Sequence, residues 1–170
     1  KHMKRRVVVT GIGALTPIGN NVNDTWKGIL NHQCGIDLIQ SFDTSNMKVK
    51  VAGELKNFEA TEYLDKKDVR KMDKFIQYGL IAAKEAIKDS KLEIDSINHD
   101  RFGVVVSSGI GGLGSIEENH QRGLKKGFDR VSPYFIPMTI VNLAAGQIAI
   151  AFKAQGLATC PVTACAGGTN

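Results

Sequence analysis

Cys165 is the side chain whose type and setting best suit chemistry. It lies in the run PVTACAGG, residues 161–168, where an apolar stretch leads into a turn of small residues. This pattern is typical of a strand that passes into a helix, with the thiol at the junction. A helix that begins at or just after Cys165 would offer free backbone N–H groups and its positive dipole end, which favour the thiolate over the thiol. The sequence therefore predicts a nucleophile, with a buried inert cysteine as the alternative.

A nucleophilic cysteine acts together with a proton acceptor and with groups that stabilise an oxyanion. The chain holds 4 histidines as candidate acceptors, namely His2, His32, His99 and His120. His2 precedes the first methionine, and the other three lie in polar surroundings that are typical of a surface. The residues alone therefore predict a nucleophile without its partners.

The other two cysteines, Cys34 and Cys160, are expected to be small buried apolar side chains. An odd count of 3 cysteines without framework spacing argues against a disulfide scaffold. The sequence has no CxxC pair and no histidine-rich cluster. We therefore predict no metal site.

Two glycine-rich segments follow predicted strands. Gly11-Ile12-Gly13 suggests a dinucleotide loop, but the third glycine of that fingerprint is replaced by Thr16 and no clear helix opens there. The second segment, SSGIGGLG at residues 107–114, lacks the Gly-Lys-Ser/Thr ending of a phosphate loop. Such a loop lets two backbones pass closely or lets a ligand approach.

Composition and charge narrow the class of protein. Hydrophobic residues make up 42% of the 170 residues, charged residues 23%, and the net charge is +5. Basic residues are not interleaved with aromatics, which are only 6%, so nucleic acid is not predicted as a partner. No apolar run reaches membrane-spanning length and no signal sequence precedes the first strand, so we expect no membrane partner and a cytoplasmic protein. One helix carries a cluster of cations, which is either a solvated face or a surface for an acidic partner: Lys66, Lys67, Arg70, Lys71 and Lys74.

The order of elements predicts an α/β fold with a mostly parallel sheet. Predicted strands cover residues 6–10, 49–52, 102–106 and 158–163. Predicted helices begin after Asn21 or Asn23 and from Asp65 onward, and cover about 116–126 and 139–152. Pro133 to Pro137 is expected to be an extended connection.

Five motifs in order carry a resemblance to a known family. They are VVVTGIG at residues 7–13, TPIG at 16–19, RKMD at 70–73, SGIGG at 108–112 and TAC at 163–165. Together they resemble the β-ketoacyl-[acyl-carrier-protein] synthases, and among these the elongating type II enzymes. The resemblance implies a thiolase-like fold of α-β-α-β-α layers, of which this chain is approximately the first half.

The resemblance also implies how the chain is divided. Residues 1–3 are interpreted as a cloning remnant with the initiator methionine, and residues 4–170 as the N-terminal half, ending just after the nucleophile. The family's two catalytic histidines, its active-site lysine and its gating phenylalanine belong to the C-terminal half, which is absent from this chain. We therefore expect the 170-residue chain alone to be inactive.

The implied reaction transfers an acyl group from acyl carrier protein to Cys165 and condenses it with malonyl-carrier protein, with loss of carbon dioxide. The backbone N–H of Cys165 would also serve in the oxyanion hole. No cofactor is implied, because 4'-phosphopantetheine arrives on the carrier protein. Ile110 and Phe135 resemble acyl-pocket residues, the latter contributed across a homodimer. Residues that resemble the carrier-protein docking surface are Lys67, Arg70, Lys71 and Arg130, with Lys126 nearby.

Three alternatives remain open. The chain could belong to a non-catalytic chain-length partner subunit, although such partners typically lack the cysteine. It could belong to a thiolase or an initiating synthase that uses coenzyme A, although the RKMD helix and the loop at Ile110 fit the elongating type better. A nucleotide-binding domain is the third. One departure from the family lies after the cysteine, where Ala, Ser or Thr usually occurs twice, whereas here Ala166 is followed by Gly167 and Gly168.

Overall fold

The computed structural model describes residues 5–169, so the predicted remnant at residues 1–3 lies outside the described residues. The chain forms two compact units, Lys1–Phe58 with Ala82–Leu92, and Glu59–Ile81 with Glu93–Asn170. The first contains helix α1 and a small hairpin, and the second contains a parallel strand pair with the predicted site residues.

The N-terminal segment of the first unit is not a strand, contrary to prediction. Residues 6–10 form no β-ladder with any described residue, and the side chains of Val7 and Val9 are 92% and 81% exposed. A β-branched run favours extended backbone but becomes a strand only beside a hydrogen-bonding neighbour. The β-branched composition of residues 6–10 is therefore not enough to make this segment a strand.

The first glycine pair packs against a helix backbone. A Cβ at Gly11 would lie 2.6 Å from the backbone nitrogen of Ser90, and one at Gly13 would collide with the backbone of Ala82. Glu85 then accepts hydrogen bonds from the amides of Ala14 and Val22, both at 2.9 Å. Close helix packing therefore accounts for these glycines without a phosphate.

Helix α1 spans Val22–Leu30 and is capped as predicted at Asn21, whose side chain accepts from the amide of Asp24. A hairpin of β1, Ile36–Leu38, and β2, Val51–Gly53, completes the first unit. The two strands are antiparallel. The sequence predicted β2 within two residues but missed β1, whose three residues are too few to show a period.

The helix predicted from Asp65 onward is two helices, α2 at Lys66–Val69 and α3 at Lys74–Ser90. Gln77 stabilises the break, because its side-chain amide donates to the carbonyls of Val69 and Met72 at 3.1 and 2.8 Å. In the second unit, the first part of α3 supplies core residues that include Ile76, which is 1% exposed. The apolar spacing predicted those buried positions but not the interruption.

The parallel pair β3, Val104–Val105, and β4, Ala158–Thr159, is the sheet that positions the site. Both strands are shorter than predicted, since Pro161 has no N–H to extend β4. Helix α4 spans Leu113–Lys126 and begins three residues before its predicted start, and α6 spans Leu143–Ala151. The main buried side chains of α6 are Ala144, Ala145 and Ile148.

The segment from Pro133 to Pro137 is not an extended connection, contrary to prediction. Phe135–Thr139 forms the short helix α5. Pro137 is its third residue, where the backbone N–H would have no partner inside a helix, so proline is tolerated there. Two nearby prolines therefore did not exclude a helix. Among residues 5–169, no helix has the length and apolar character needed to cross a membrane.

Candidate active site

Cys165 lies in a turn that leaves the carboxyl end of β4. The turn is a six-residue 3-10 helix, Ala164–Thr169, and not the α-helix start that the sequence suggested. Ala164 has a φ of +48°, a left-handed conformation that is costly for a residue with a Cβ. The Cys165 side chain is exposed. A strained residue directly before an exposed thiol is an arrangement that functional turns often use.

No hydrogen-bond partner for the Cys165 sulfur occurs among residues 5–169. The turn is instead held by its backbone, because the amide of Ala166 donates to the carbonyl of Thr163 at 3.1 Å. The same part of the chain contains no group of three or more His, Cys, Asp or Glu side chains that could hold a metal ion.

Ser107, just after β3, packs against the Cys165 turn from below. Its hydroxyl donates to the carbonyl of Pro161 at 2.7 Å. Its Cβ lies only 2.6 Å from the point where a Cβ on Gly167 would stand. Ser107 therefore contacts the segment that carries Cys165 both before the thiol, at Pro161, and after it, at Gly167.

The glycine-rich loop after β3 starts at the same edge of the sheet as the Cys165 turn, because β3 and β4 are parallel. Ile110, the predicted pocket residue, is 61% exposed in this loop. Gly111 has a φ of +73°, which favours glycine. The amide of Gly112 donates to the carbonyl of Thr139 at 3.2 Å. The structure therefore brings the predicted nucleophile and Ile110 to one edge.

Asp73 is a positioning residue whose role the sequence did not reveal. One carboxylate oxygen accepts from the Ser115 hydroxyl at 2.6 Å and from the Ser115 amide at 3.2 Å. The other accepts from the amide of Phe75 at 3.2 Å, at the start of α3. An Asp directly before a helical run signals an N-cap, but nothing local indicates a partner 42 residues away.

Phe135 lines a cavity in the second unit. It is half-buried in α5 and lines a cavity of about 250 Å³ together with Ile116, Asn119, His120, Phe128 and Val131. Asn119 is 3% exposed and its side chain accepts from the amide of Ser132 at 2.9 Å. Ile110 is not among the residues that line this cavity. The cavity that Phe135 lines is therefore one to which Ile110 does not contribute.

The cations predicted to dock a carrier protein are exposed. Lys67 lies in α2, and Arg70 and Lys71 follow in the turn before α3. Lys71 lies 4.0 Å from Asp68 and has its Nζ 5.7 Å from the centre of the Tyr134 ring. Within residues 5–169, Lys67 and Arg70 form no ion pair, so their charges remain available.

Two further cations, Lys126 and Arg130, lie on either side of Gly127, at the end of α4 and in the following 3-10 turn. Both side chains are exposed. Lys67, Arg70 and Lys71 together form the basic patch.

The expectation that Cys34 is buried was wrong. Cys34 is exposed, and its sulfur lies 3.7 Å from the carbonyl oxygen of Ile36. Cys160 is half-buried, with its sulfur 3.8 Å from the carbonyl oxygen of Pro161. The Cys34 thiol, next to a short hairpin, would be buried only if other elements packed over it. The residue type alone does not predict such packing.

Comparisons with known proteins identify the family to which this chain belongs. Residues 4–170 match the model of the beta-ketoacyl synthase N-terminal domain. A 3-oxoacyl-[acyl-carrier-protein] synthase 2 of Staphylococcus aureus strain COL is 49% identical over 166 residues, which cover 98% of this chain and 40% of that protein. The chain therefore spans about 40% of the length of the curated relatives it matches.

Solved structures show the same fold. The ishigamide ketosynthase/chain length factor matches with a TM-score of 0.83 and 25% identity, over 95% of this chain and 40% of its own. A type II PKS ketosynthase, in complex with its acyl-carrier protein and bound to the hexaketide, matches with a TM-score of 0.72 and 28% identity, over 91% of this chain and 42% of its own. The thiolase-like α/β fold predicted from the sequence is confirmed. The chain belongs to the β-ketoacyl synthase family, of which it carries the N-terminal domain.

Proposed function

We propose that the chain is the N-terminal part of an elongating β-ketoacyl-[acyl-carrier-protein] synthase and that Cys165 is its acyl-accepting nucleophile. The observation that carries the proposal is the exposed thiol on a strained turn after β4, with Ala164 at a φ of +48°. The names of relatives such as the Staphylococcus aureus enzyme support the activity. The reaction class is acyl transfer followed by carbon–carbon bond formation.

In the first step the Cys165 thiolate attacks the thioester carbonyl of the acyl group on the carrier protein. The new C–S bond forms as the pantetheine C–S bond breaks, and the departing thiolate takes up a proton. The oxyanion of the tetrahedral intermediate needs preorganised donors. The backbone N–H of Cys165, in the exposed 3-10 turn, is the donor proposed from this chain.

In the second step malonyl-carrier protein loses carbon dioxide, and the electron pair of the broken C–C bond forms an enolate. Its carbon attacks the Cys165 thioester and expels the Cys165 thiolate, which leaves a β-ketoacyl product two carbons longer. We place the groups that stabilise the enolate in the remainder of a longer protein. Purified residues 1–170 alone should therefore neither decarboxylate nor condense, and measurable turnover by them would contradict this division of labour.

The longer protein is itself open to a direct check. An intact mass of the natural protein well above 18.4 kDa is expected. A mass equal to that value would contradict the proposed two-half organisation.

The basic patch is proposed to dock acyl carrier protein, whose acidic surface complements it. Support comes from the exposed and unpaired charges of Lys67 and Arg70 and from the carrier-protein complex of the structurally similar type II PKS ketosynthase. Arg130 and Lys126 are proposed as an extension of the same interaction. Charge attraction of this kind mainly raises the association rate and weakens with salt.

Ile110 and Phe135 are proposed to line the acyl pocket, with Phe135 supplied across a homodimer. Large apolar side chains near Phe135 are exposed, including Phe128 at 61% and Ile136 at 57%. Exposed apolar surface of this kind supports a protein interface. Sedimentation of the full-length protein should give twice the monomer mass, and a monomer would contradict the pocket across the dimer.

A cytoplasmic location is proposed as well, and recovery in a membrane fraction would contradict it.

The test of the proposed function is single-turnover acylation. Full-length protein is mixed with acyl-carrier protein, and the gain of one acyl mass is followed by mass spectrometry. Acylation before malonyl-carrier protein is added, followed by elongation after its addition, is expected. Acylation from acyl-coenzyme A but not from acyl-carrier protein would favour an initiating synthase or a thiolase, and no acylation would favour a non-catalytic partner subunit.

A further inference from the structure

The segment that carries Cys165 is joined to β3 by a side chain at the point where the strand ladder should continue. The amide of Val104 donates to the carbonyl of Leu157 at 2.7 Å, and that of Val106 to Thr159 at 3.2 Å. The next step in a parallel ladder is the amide of residue 108 with the carbonyl of Pro161. That carbonyl instead accepts from the Ser107 hydroxyl at 2.7 Å.

The same Ser107 side chain also fills the space over Gly167. A Cβ added to Gly167 would stand 2.6 Å from the Ser107 Cβ and closer still to its oxygen. Cβ atoms do not approach that closely, so the serine would have to move, and with it the hydrogen bond to Pro161. One side chain therefore contacts the segment that carries Cys165 four residues before the thiol and two residues after it.

The two neighbouring glycines are not equivalent. Among residues 5–169, nothing lies within 4 Å of a Cβ placed at Gly168, whereas a Cβ at Gly167 meets Ser107. This chain places a serine on the β3 side of the contact and a glycine on the turn side.

We propose that Ser107 and Gly167 are a matched pair of positioning residues that sets the Cys165 thiol for acyl transfer. The proposal rests on the proposed function of Cys165 and adds two residues to it. Neither residue touches the reacting atoms. Both act through the backbone of the turn, where a displacement of about 1 Å can cost on the order of 100-fold in rate.

The test is an exchange of the pair in the full-length protein. Gly167→Ser introduces the collision with Ser107. Ser107→Gly removes both the side chain that fills the space over Gly167 and its hydrogen bond to Pro161. The double variant, Ser107→Gly with Gly167→Ser, moves the hydroxyl from one side of the contact to the other. Gly168→Ser is the matched control, since it adds the same side chain one residue later into open space. Ser107→Ala removes only the hydroxyl, and it keeps the proposal testable if Gly167→Ser fails to fold.

Two rates are measured, acylation by acyl-carrier protein and alkylation of Cys165 by iodoacetamide across a pH series. Gly167→Ser should slow acylation about 100-fold and Ser107→Ala about tenfold. The double variant should recover about tenfold relative to Gly167→Ser, as expected for residues in direct contact. Gly168→Ser should lose far less than Gly167→Ser.

Thermal unfolding of each variant separates a displaced turn from an unstable protein. Rescue of the acylation rate at unchanged melting temperature supports the pair. Equal losses for Gly167→Ser and Gly168→Ser, or a double variant no faster than Gly167→Ser, would overturn it. The alkylation rate does not depend on a carrier protein, so it tests the pair separately from the proposed function. If wild-type protein is never acylated, the proposed function fails. If the alkylation rate still falls in Gly167→Ser and recovers in the double variant, the positioning role of the pair stands.

Discussion

The segments that follow β3 and β4 leave the same edge of one sheet but are held in different ways. After β3, the glycine-rich loop is fixed by backbone contact with α5 through Gly112 and by the Asp73 carboxylate on Ser115. After β4, the segment with Cys165 is held by the Ser107 hydroxyl on Pro161, by the Thr169 hydroxyl on Ala166 and by short-range backbone bonds.

The difference separates a tightly packed loop from the segment that carries the proposed nucleophile. A loop that is packed against helix backbone and closed by a carboxylate cannot move without breaking several contacts. A short exposed turn with a strained residue at Ala164 leaves its thiol accessible and its geometry sensitive to one neighbour. Changes after β3 should therefore mainly reduce stability, and changes after β4 should mainly reduce chemistry.

The largest expected effect is on chemistry and comes from Cys165→Ser. Removing the nucleophile should lower elongation by at least about 1,000-fold. Because the side chain is exposed, the free energy of unfolding should change by less than about 0.5 kcal/mol. Cys34→Ser, at another exposed thiol, is the control in assays of turnover and urea unfolding. Retained elongation by Cys165→Ser would remove the assigned role of this turn.

Gly112→Ala should have the largest effect on stability. The new Cβ would collide with the carbonyl of Met138 and stand 3.0 Å from the Asp73 carboxylate, an overpacking that costs about 2–3 kcal/mol. Gly114→Ala is the control, because nothing lies within 4 Å of its Cβ position among the described residues. Urea midpoints that do not distinguish the two variants would show that the loop is less tightly packed than described.

Asp73→Asn should weaken the same loop by a smaller amount. The neutral amide retains the shape but loses the charge-assisted bonds to Ser115, which is expected to cost about 1–2 kcal/mol. Asp68→Asn, at an exposed carboxylate of the neighbouring α2, should change the unfolding free energy by less. If melting shows the two variants to be equal, Asp73 is not the brace between the starts of α3 and α4.

Charge reversal of the basic patch should affect binding without affecting either segment. Lys67→Glu, Arg70→Glu and Lys71→Glu together should weaken carrier-protein affinity about tenfold at low salt, and less at high salt because exposed charges are screened. Lys88→Glu with Lys91→Glu, at exposed cations of the first unit, is the control. Titration calorimetry that finds unchanged affinity would assign the basic patch to a solvated face.

The smallest effect concerns the amino end of β4. Lys153 donates to Asp95 at 2.7 Å, and this hydrogen bond holds the pKa of that carboxyl below its ordinary 3.8. A depressed pKa favours the folded protein above the ordinary pKa, and this contribution is lost as pH falls through the folded value. Lys153→Met should raise the pKa of Asp95 in a carboxyl NMR titration. An unchanged titration would contradict the hydrogen bond as its cause.

Local signals in the sequence were enough for features that depend on neighbouring residues. Asn21 was one of two predicted caps, with Asn23, because an amide side chain before an apolar helical pattern satisfies free amides locally. The turn at Cys165 was predicted because small residues follow an apolar run. The thiolase-like fold came from five ordered motifs, and each motif alone would have been ambiguous.

Features that depend on distant residues were missed. Residues 6–10 have the composition of a strand but no pairing neighbour among the described residues. The partner of Asp73 is 42 residues away, and the space over Gly167 is filled by Ser107, which lies on another strand end. Long-range contacts of this kind leave no periodic trace in the sequence. The roles of Cys165, Ile110, Phe135 and the basic patch stay predictions.

The central claim is that the turn after β4 carries the acyl-accepting thiol. Full-length protein is incubated with acyl-carrier protein, digested, and mapped by tandem mass spectrometry under conditions that preserve thioesters. The acyl mass is expected on the peptide that contains Cys165, and it should be lost in Cys165→Ser. Acyl mass on Cys34 or Cys160 instead, or its persistence in Cys165→Ser, would contradict the claim.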